Sequence, residues 1–352
     1  MSSLARNTFV FSATTQRPNP LTPGWKQWVA ENRLRNCTPA SMVETMVNAG
    51  IDRLQATHAV DTIHHDPCYR AAERFLQINR KYASVMANLQ KLWELAPNYD
   101  QVEKRPYPGH DEFVKQYCLG NRPVVLTGLA ADWPAMQRWT PQFFKEQYGN
   151  VEVEIQAGRN DDADYERNKL QHRSRIAMAE FVDRVMAVGA SNDIYLTANN
   201  DALRRAELAP LLDDIGSLPK IINHSRFRDE SSLWFGPAGT VTPLHHDTIM
   251  LFHTQIKGRK RWRFISPLET PNLYNFSGVF SPIDLDNVDL SRFPDFAKVK
   301  VLEVVVEEGE TVFLPLGWWH QVTSLDVCIS LSFSCLTFPN EYAYDNPAIP
   351  DW

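Results

Sequence analysis

The chain has 352 residues, 43% of them hydrophobic and 22% charged, with a formal net charge of −6. These values fit a soluble globular protein with room for one large domain and a smaller one, and the acidic balance gives no basis for a nucleic-acid partner. No apolar run is long enough to span a bilayer, and the five scattered cysteines contain no CxxC, which indicates neither a disulfide framework nor a cysteine-based zinc site and favours a reducing, cytoplasmic setting.

Residues 1–20 read as a loose arm without the apolar stretch of a secretory signal. From Thr22 to Pro97 the periodicity is helical. In "TPGWKQWVAENRL" Thr22 caps, Pro23 takes the first helical position, and Trp25, Trp28 and Val29 share a stripe. "TPASMVETMVNAG" repeats the device with Thr38 and Pro39, places Met42, Val43, Met46 and Val47 on one face, and stops at Gly50. A third helix is expected through "DPCYRAAERFLQINRKYASVMANLQKLWEL", opened by Asp66 and Pro67. The Pro- and charge-rich stretch "APNYDQVEKRPYPGH" reads as a linker. Residues 1–105 are thus expected to form an arm and a helical domain, with apolar helices that can pack on the rest or pair two copies in a homodimer.

After Gly109 short strands and capped helices alternate: "RPVVLTGL", "WTPQFFKEQYG", "VEVEI" and "AEFVDRVMAVG". The polar stretch "AGRNDDADYERNKLQHRSR" reads as a solvated loop, with a lid over a site as the alternative. From Leu233 strands dominate: "SLWFG", "TIMLFHTQI", "KRWRFIS", "VLEVVVE", "TVFLPL" and "CISLSFSCLTF". Many short strands after a mixed entry predict a barrel or sandwich over 106–340. Residues 341–352 form a tail.

His-His-Asp occurs twice. In the first copy Asp66 is a helix cap, with His64 and His65 in the turn before it. The second lies in "PLHHDT", where residues two apart share a face of a strand. His245 and Asp247 therefore point one way and His246 the other. With His320 from "EEGETVFLPLGWWHQV" they offer two imidazoles and one carboxylate, a set that leaves coordination positions open and suits Fe(II) oxygenases. The bland alternatives are a surface charge pair and a buried, hydrogen-bonded His320. In "GRKRWRFISP" alternation puts Lys260, Trp262 and Phe264 on the inward face and Arg259, Arg261 and Arg263 on the solvent face. An inward ammonium needs an anion, unless it snorkels from the strand's start.

The segment "LWFGPAGTVTPLHHD…QIKGRKRWRFISP…RFPDFAK…EEGETVFLPLGWWHQVTSLDVCISLSFS" resembles the JmjC-type, cupin-like 2-oxoglutarate oxygenases, nearest the hydroxylase branch that includes factor-inhibiting-HIF and the arginyl hydroxylases. The resemblance runs from about Pro106 to Phe338. It implies a mainly β double-stranded β-helix (jelly-roll, cupin) behind an N-terminal α-helical domain, with Fe(II) on His245, Asp247 and His320. It also implies that Lys260 binds the far carboxylate of 2-oxoglutarate, assisted by Thr242, Tyr195 and Ser332. Strict alternation sets Thr242 opposite His245 unless Pro243 breaks the pleat. Where the hydroxylase relatives often carry Asn, this chain has Leu251, and His253, of the same parity as the ligands, is the other polar group nearby. Trp234, Trp318 and Trp319 are candidates for the pocket wall, although core packing serves each of them equally well.

The implied activity is that of a dioxygenase. It consumes O2 and 2-oxoglutarate, releases succinate and CO2, and hydroxylates a C–H bond of a protein side chain or an amino-acid-derived small molecule. N-methyl-lysine demethylation is the rival within the same chemistry, and a non-catalytic cupin-like binding protein the rival outside it.

Overall fold

The computed structural model describes residues 21–341 apart from 199 and 277. The arm at 1–20 and residues 342–352 of the tail lie outside the described residues. The chain divides into two compact units, Met1–Val85 and Met86–Trp352, so the division falls inside a long helix and not at the Pro-rich linker.

The first unit is helical: α1 (Pro23–Leu34), α2 (Pro39–Asn48), α3 (Arg53–Thr62) and the start of α4 (Pro67–Trp93). Each begins where a side-chain oxygen satisfies an otherwise unbonded amide. Thr22 Oγ1 accepts from the Trp25 amide (3.3 Å) and Thr38 Oγ1 from Ser41 (3.2 Å). Asp66 Oδ1 accepts from both Cys68 (2.7 Å) and Tyr69 (3.0 Å), so the first His-His-Asp is a helix start. The periodicity predicts three helices here and the structure has a fourth, α3, which Asp52 caps through the Gln55 amide (3.0 Å). Its interior "RLQATHAVDT" has only Ala56 and Val60 buried, too sparse a stripe to register as a period. Val29, Met42, Val43, Met46, Ala56 and Val60 make this unit's core.

The second unit begins with β1 (Glu103–Pro106), α5 (His110–Phe113), β2 (Val124–Thr127), α6 (Ala135–Arg138), α7 (Pro141–Tyr148), β3 (Glu152–Gln156), α8 (Lys169–His172), β4 (Arg173–Ala177) and α9 (Met178–Ala187). Eight strands follow: β5 (Ser231–Gly236), β6 (Val241–His246), β7 (Leu251–Lys257), β8 (Lys260–Ile265), β9 (Leu302–Val306), β10 (Thr311–Leu314), β11 (Trp319–Ser324) and β12 (Cys328–Phe333). The strand expected from Thr248 therefore starts three residues later. β5 to β12 divide between two sheets, β10-β7-β12-β5 and β6-β11-β8-β9, successive strands changing sheet except at β8 and β9, and the first sheet is extended by β2 and β1. This is the double-stranded β-helix expected from the sequence. Helices α7 and α9 cover the larger sheet, with Phe144 and Phe181 packed on Phe235 at ring separations of 5.7 and 5.2 Å.

Two expectations change. The polar stretch 157–175 is not a free loop: its end forms β4, which pairs with β3 in full register from Glu152↔Ala177 to Gln156↔Arg173. The arginine row of β8 is not uniformly solvent-facing either. Arg263 is buried, because the chain between β8 and β9 folds back over that face. There Asp286 accepts from Arg263 (2.6 Å), Arg261 (2.8 Å) and Gln321 (3.0 Å). Asp286→Ala leaves the covered guanidinium without its acid, and a loss of about 1–2 kcal/mol is expected given the carboxylate's partial exposure. Urea unfolding measures it, and an unchanged midpoint contradicts the clamp.

Candidate active site

Antiparallel pairing of β6 with β11 brings the candidate ligands together. His320 lies opposite His245 and Val322 opposite Thr242, so two residues of β6, Pro243 and Leu244, face one of β11, Gln321. That extra residue is a β-bulge at Pro243–Leu244. It resolves the parity problem: beyond the bulge Thr242 returns to the face that carries His245, and both line the central cavity. His246 faces away, buried against Trp319 (4.5 Å between rings), and burial pushes its imidazole down to about 4.

His245 Nε2 lies 4.0 Å from Asp247 Oδ1, and His320 Nε2 lies 3.8 Å from Asp247 Oδ2. Ligand atoms of all three residues fall within 4.8 Å of one another. The other ring nitrogens are committed: His245 Nδ1 is 2.8 Å from the Pro243 carbonyl, and His320 Nδ1 is 3.0 Å from the Trp318 carbonyl. A carbonyl only accepts, so each ring carries its proton on Nδ1 and turns the Nε2 lone pair inward. Burial holds the His320 imidazole far below its ordinary range, in the neutral state a metal requires. The Gly317 amide donates to the Asp247 carbonyl (3.3 Å), tying the two ligand-bearing segments together. Two neutral imidazoles and a carboxylate on one side of an open cavity fit a divalent first-row ion with vacant positions.

The cavity has a volume of about 360 Å³. Lys260 reaches it from the start of β8 and is 1% exposed. Its Nζ donates to Tyr195 OH (3.1 Å) and lies 3.4 Å from His253 Nε2. The Trp234 and Tyr195 rings flank it at 5.4 and 5.8 Å. Among the described residues no carboxylate pairs with it, and desolvation pushes the ammonium down to about 8. Burial, together with the charge of Lys260, holds His253 neutral, so Nε2 can accept from the ammonium, and His253 stands outside the metal-ligating group. Ser332 Oγ accepts from Trp234 Nε1 (2.8 Å) on the same wall. Gly236 makes room: a Cβ there would lie 2.6 Å from the Tyr195 ring.

Trp318 and Trp319 do not line the cavity. Trp318 packs on Trp93 and donates to the Asn121 carbonyl (2.8 Å), while Trp319 donates to Thr270 Oγ1 (2.9 Å) in a separate core. Trp319 precedes His320 on its strand and so takes the opposite face. Leu251 lines the cavity as an apolar group. Phe280, in a segment with no motif to mark it, packs its ring on His245 at 5.7 Å. The 157–175 stretch, whose composition leaves loop and lid open, supplies Glu166 and Lys169 to the cavity wall. Arg159 holds that stretch down, donating to Glu166 (3.0 Å) and to the Val241 carbonyl (2.9 Å). Tyr165 OH donates to the same carbonyl (3.0 Å).

The geometry separates the adjacent histidines. His245→Ala is expected to weaken Fe(II) or Co(II) binding by about 100-fold or more, whereas His246→Ala keeps it within severalfold. Metal titration of the two variants decides, and equal losses contradict the assignment.

The cupin-like domain family matches residues 110–334. The chain is 31% identical over 268 residues to the lysine-specific demethylase JMJ30 of Arabidopsis thaliana, covering 71% of this chain and 59% of that protein. It is 29% identical over 245 residues to lysine-specific demethylase 8 of Xenopus tropicalis, covering 66% and 52%. Against the human bifunctional peptidase and (3S)-lysyl hydroxylase JMJD7 the identity is 25% over 261 residues, covering 66% and 82%. The chain thus spans between half and three fifths of the length of the two demethylases. A match over most of the β-rich unit, on the fold and ligand geometry described, places the chain in the cupin-like, JmjC-type family of 2-oxoglutarate oxygenases.

Proposed function

We propose that the protein is an Fe(II)- and 2-oxoglutarate-dependent dioxygenase that hydroxylates an unactivated C–H bond of a protein side chain. The observation that carries this is Lys260: a buried ammonium with no acid partner among the described residues, on the wall of the cavity that also holds the His245–Asp247–His320 cluster. A cation so placed is stable only if the ligand brings the anion. A dicarboxylate with one end at Lys260 and the other toward the metal ligands meets that need.

Fe(II), which His245, Asp247 and His320 would hold, would supply O2 activation coupled to oxidative decarboxylation of 2-oxoglutarate to succinate and CO2. The chain's own part is positioning. His245 and His320, fixed by main-chain carbonyls, and Asp247 hold the ion and leave its cavity side open. Lys260 and Tyr195 bind the far carboxylate, while Thr242 and Ser332 offer hydroxyls along the same wall. Trp234, Leu251 and Phe280 keep the interior apolar and limit water. The 157–175 stretch, pinned by Arg159, narrows the entrance.

A second reading, N-methyl-lysine demethylation, is favoured by the names of two relatives, both lysine-specific demethylases. It uses the same residues and differs in its product, formaldehyde and a shorter side chain instead of an added oxygen atom. Mass spectrometry of a co-expressed or incubated protein substrate separates the two.

The cofactor-loaded protein is expected to release succinate from 2-oxoglutarate, and Asp247→Ala to lose this while keeping its fold. Turnover in that variant sinks the assignment. Lys260→Met should raise KM for 2-oxoglutarate about 100-fold, as removal of one partner of a buried charge pair costs about 3 kcal/mol. The wild-type KM should rise as the pH climbs through about 8, where the free ammonium loses its proton. The sign follows because the anion binds only the charged form. A KM independent of pH across that range rules Lys260 out.

A further inference from the structure

We propose that the outer face of α4 is the interface with a second copy of this chain, the two helices packed antiparallel. Phe75, Ile78, Tyr82, Val85, Leu89 and Leu92 lie along this one helix and are all exposed, from 46% for Leu89 to 69% for Phe75. Their spacing alternates three and four residues throughout, the 3.5-residue period of a seam between paired helices. The neighbouring face of α4 is spoken for: Tyr69 and Gln90 on it are buried.

An apolar stripe of this length costs too much in water to be left without a function. With two aromatic and four aliphatic side chains it presents on the order of 600 Å² per chain, so a pair buries about 1,200 Å², the lower end for a stable specific interface. A second copy fits because the stripe complements itself when inverted. Phe75 then meets Leu92, Ile78 meets Leu89, and Tyr82 meets Val85, so every layer combines side chains of similar total volume. The parallel pairing stacks Tyr82 on Tyr82 and Val85 on Val85, one layer too wide and the next too thin. Inversion also sets Lys81 beside Asn88, so no like charges meet at the centre of the seam.

Sedimentation velocity of the full chain at micromolar to tens of micromolar concentration is expected to show a dimer. Tyr82→Glu/Val85→Glu should sediment as a monomer with unchanged circular dichroism, and Glu73→Gln, on the same helix off the stripe, should stay dimeric. If the double variant loses its fold, Leu92→Glu alone should weaken the dimer at least tenfold. On a background with Cys37→Ser and Cys68→Ser, a mixture of Phe75→Cys and Leu92→Cys chains should form a disulfide-linked dimer, and neither variant alone should do so. A monomeric wild type, or a dimer that survives Tyr82→Glu/Val85→Glu with its fold intact, overturns the proposal. Linkage of Phe75→Cys to itself overturns the antiparallel packing. A monomer that dimerises only after removal of residues 2–20 assigns the stripe to that arm and overturns it as well.

Discussion

The β-rich unit is organised around one buried ammonium. Lys260 sits at the start of β8 with its side chain turned into the barrel, and an unpaired charge there is costly enough to constrain everything near it. The surroundings reduce that cost without cancelling the charge. Tyr195 and His253 accept hydrogen bonds, Trp234 and Tyr195 present ring faces, and no carboxylate neutralises the group among the described residues. Had an acid stood where Tyr195 stands, the fold would be more stable and the cavity would have no preference for an anionic ligand. Gly236 belongs to the same arrangement, since any larger residue would press on the Tyr195 ring. The neutral state of His253 follows too, from its burial first and then from the charge of Lys260 beside it.

Much of this was legible because strand parity is a strict rule over short distances. Residues two apart share a face, so His245 with Asp247, and Lys260 with Trp262, can be paired from the sequence alone. Parity is blind to two things, and the discrepancies are of those kinds. The first is an inserted residue: the bulge at Pro243 returns Thr242 to the cavity side, and only the register against β11 reveals it. The second is what arrives from elsewhere in the chain. Arg263 reads as solvent-facing until Asp286 folds over it, and Phe280 reaches His245 from a stretch with no recognisable pattern. Trp318 and Trp319 show the converse, since their size and clustering suggest a pocket while their strand positions send them into two separate cores. The polar stretch after β3 was open for a related reason. Its composition is that of a solvated loop, and what holds it to the cavity is Arg159 and Tyr165 reaching the same main-chain carbonyl, that of Val241.

The same irregularities that weaken a parity argument are what orient the metal-ligating rings. In both histidines the Nδ1 partner is the carbonyl two residues earlier, Pro243 for His245 and Trp318 for His320. A regular antiparallel strand directs its carbonyls sideways toward its neighbours, out of reach of its own side chains. Each of these carbonyls instead lies at a break: the bulge at Pro243–Leu244 in one case, and in the other the turn before β11, where Gly317 takes a left-handed conformation. The orientation of both imidazoles is therefore written into the backbone. Side-chain partners elsewhere in the cavity can vary with the substrate while the lone pairs of His245 and His320 stay aimed at the same point. That division of labour, main chain for the metal ligands and side chains for the ligand cavity, allows the Lys260 wall and the 157–175 stretch to change without disturbing the centre.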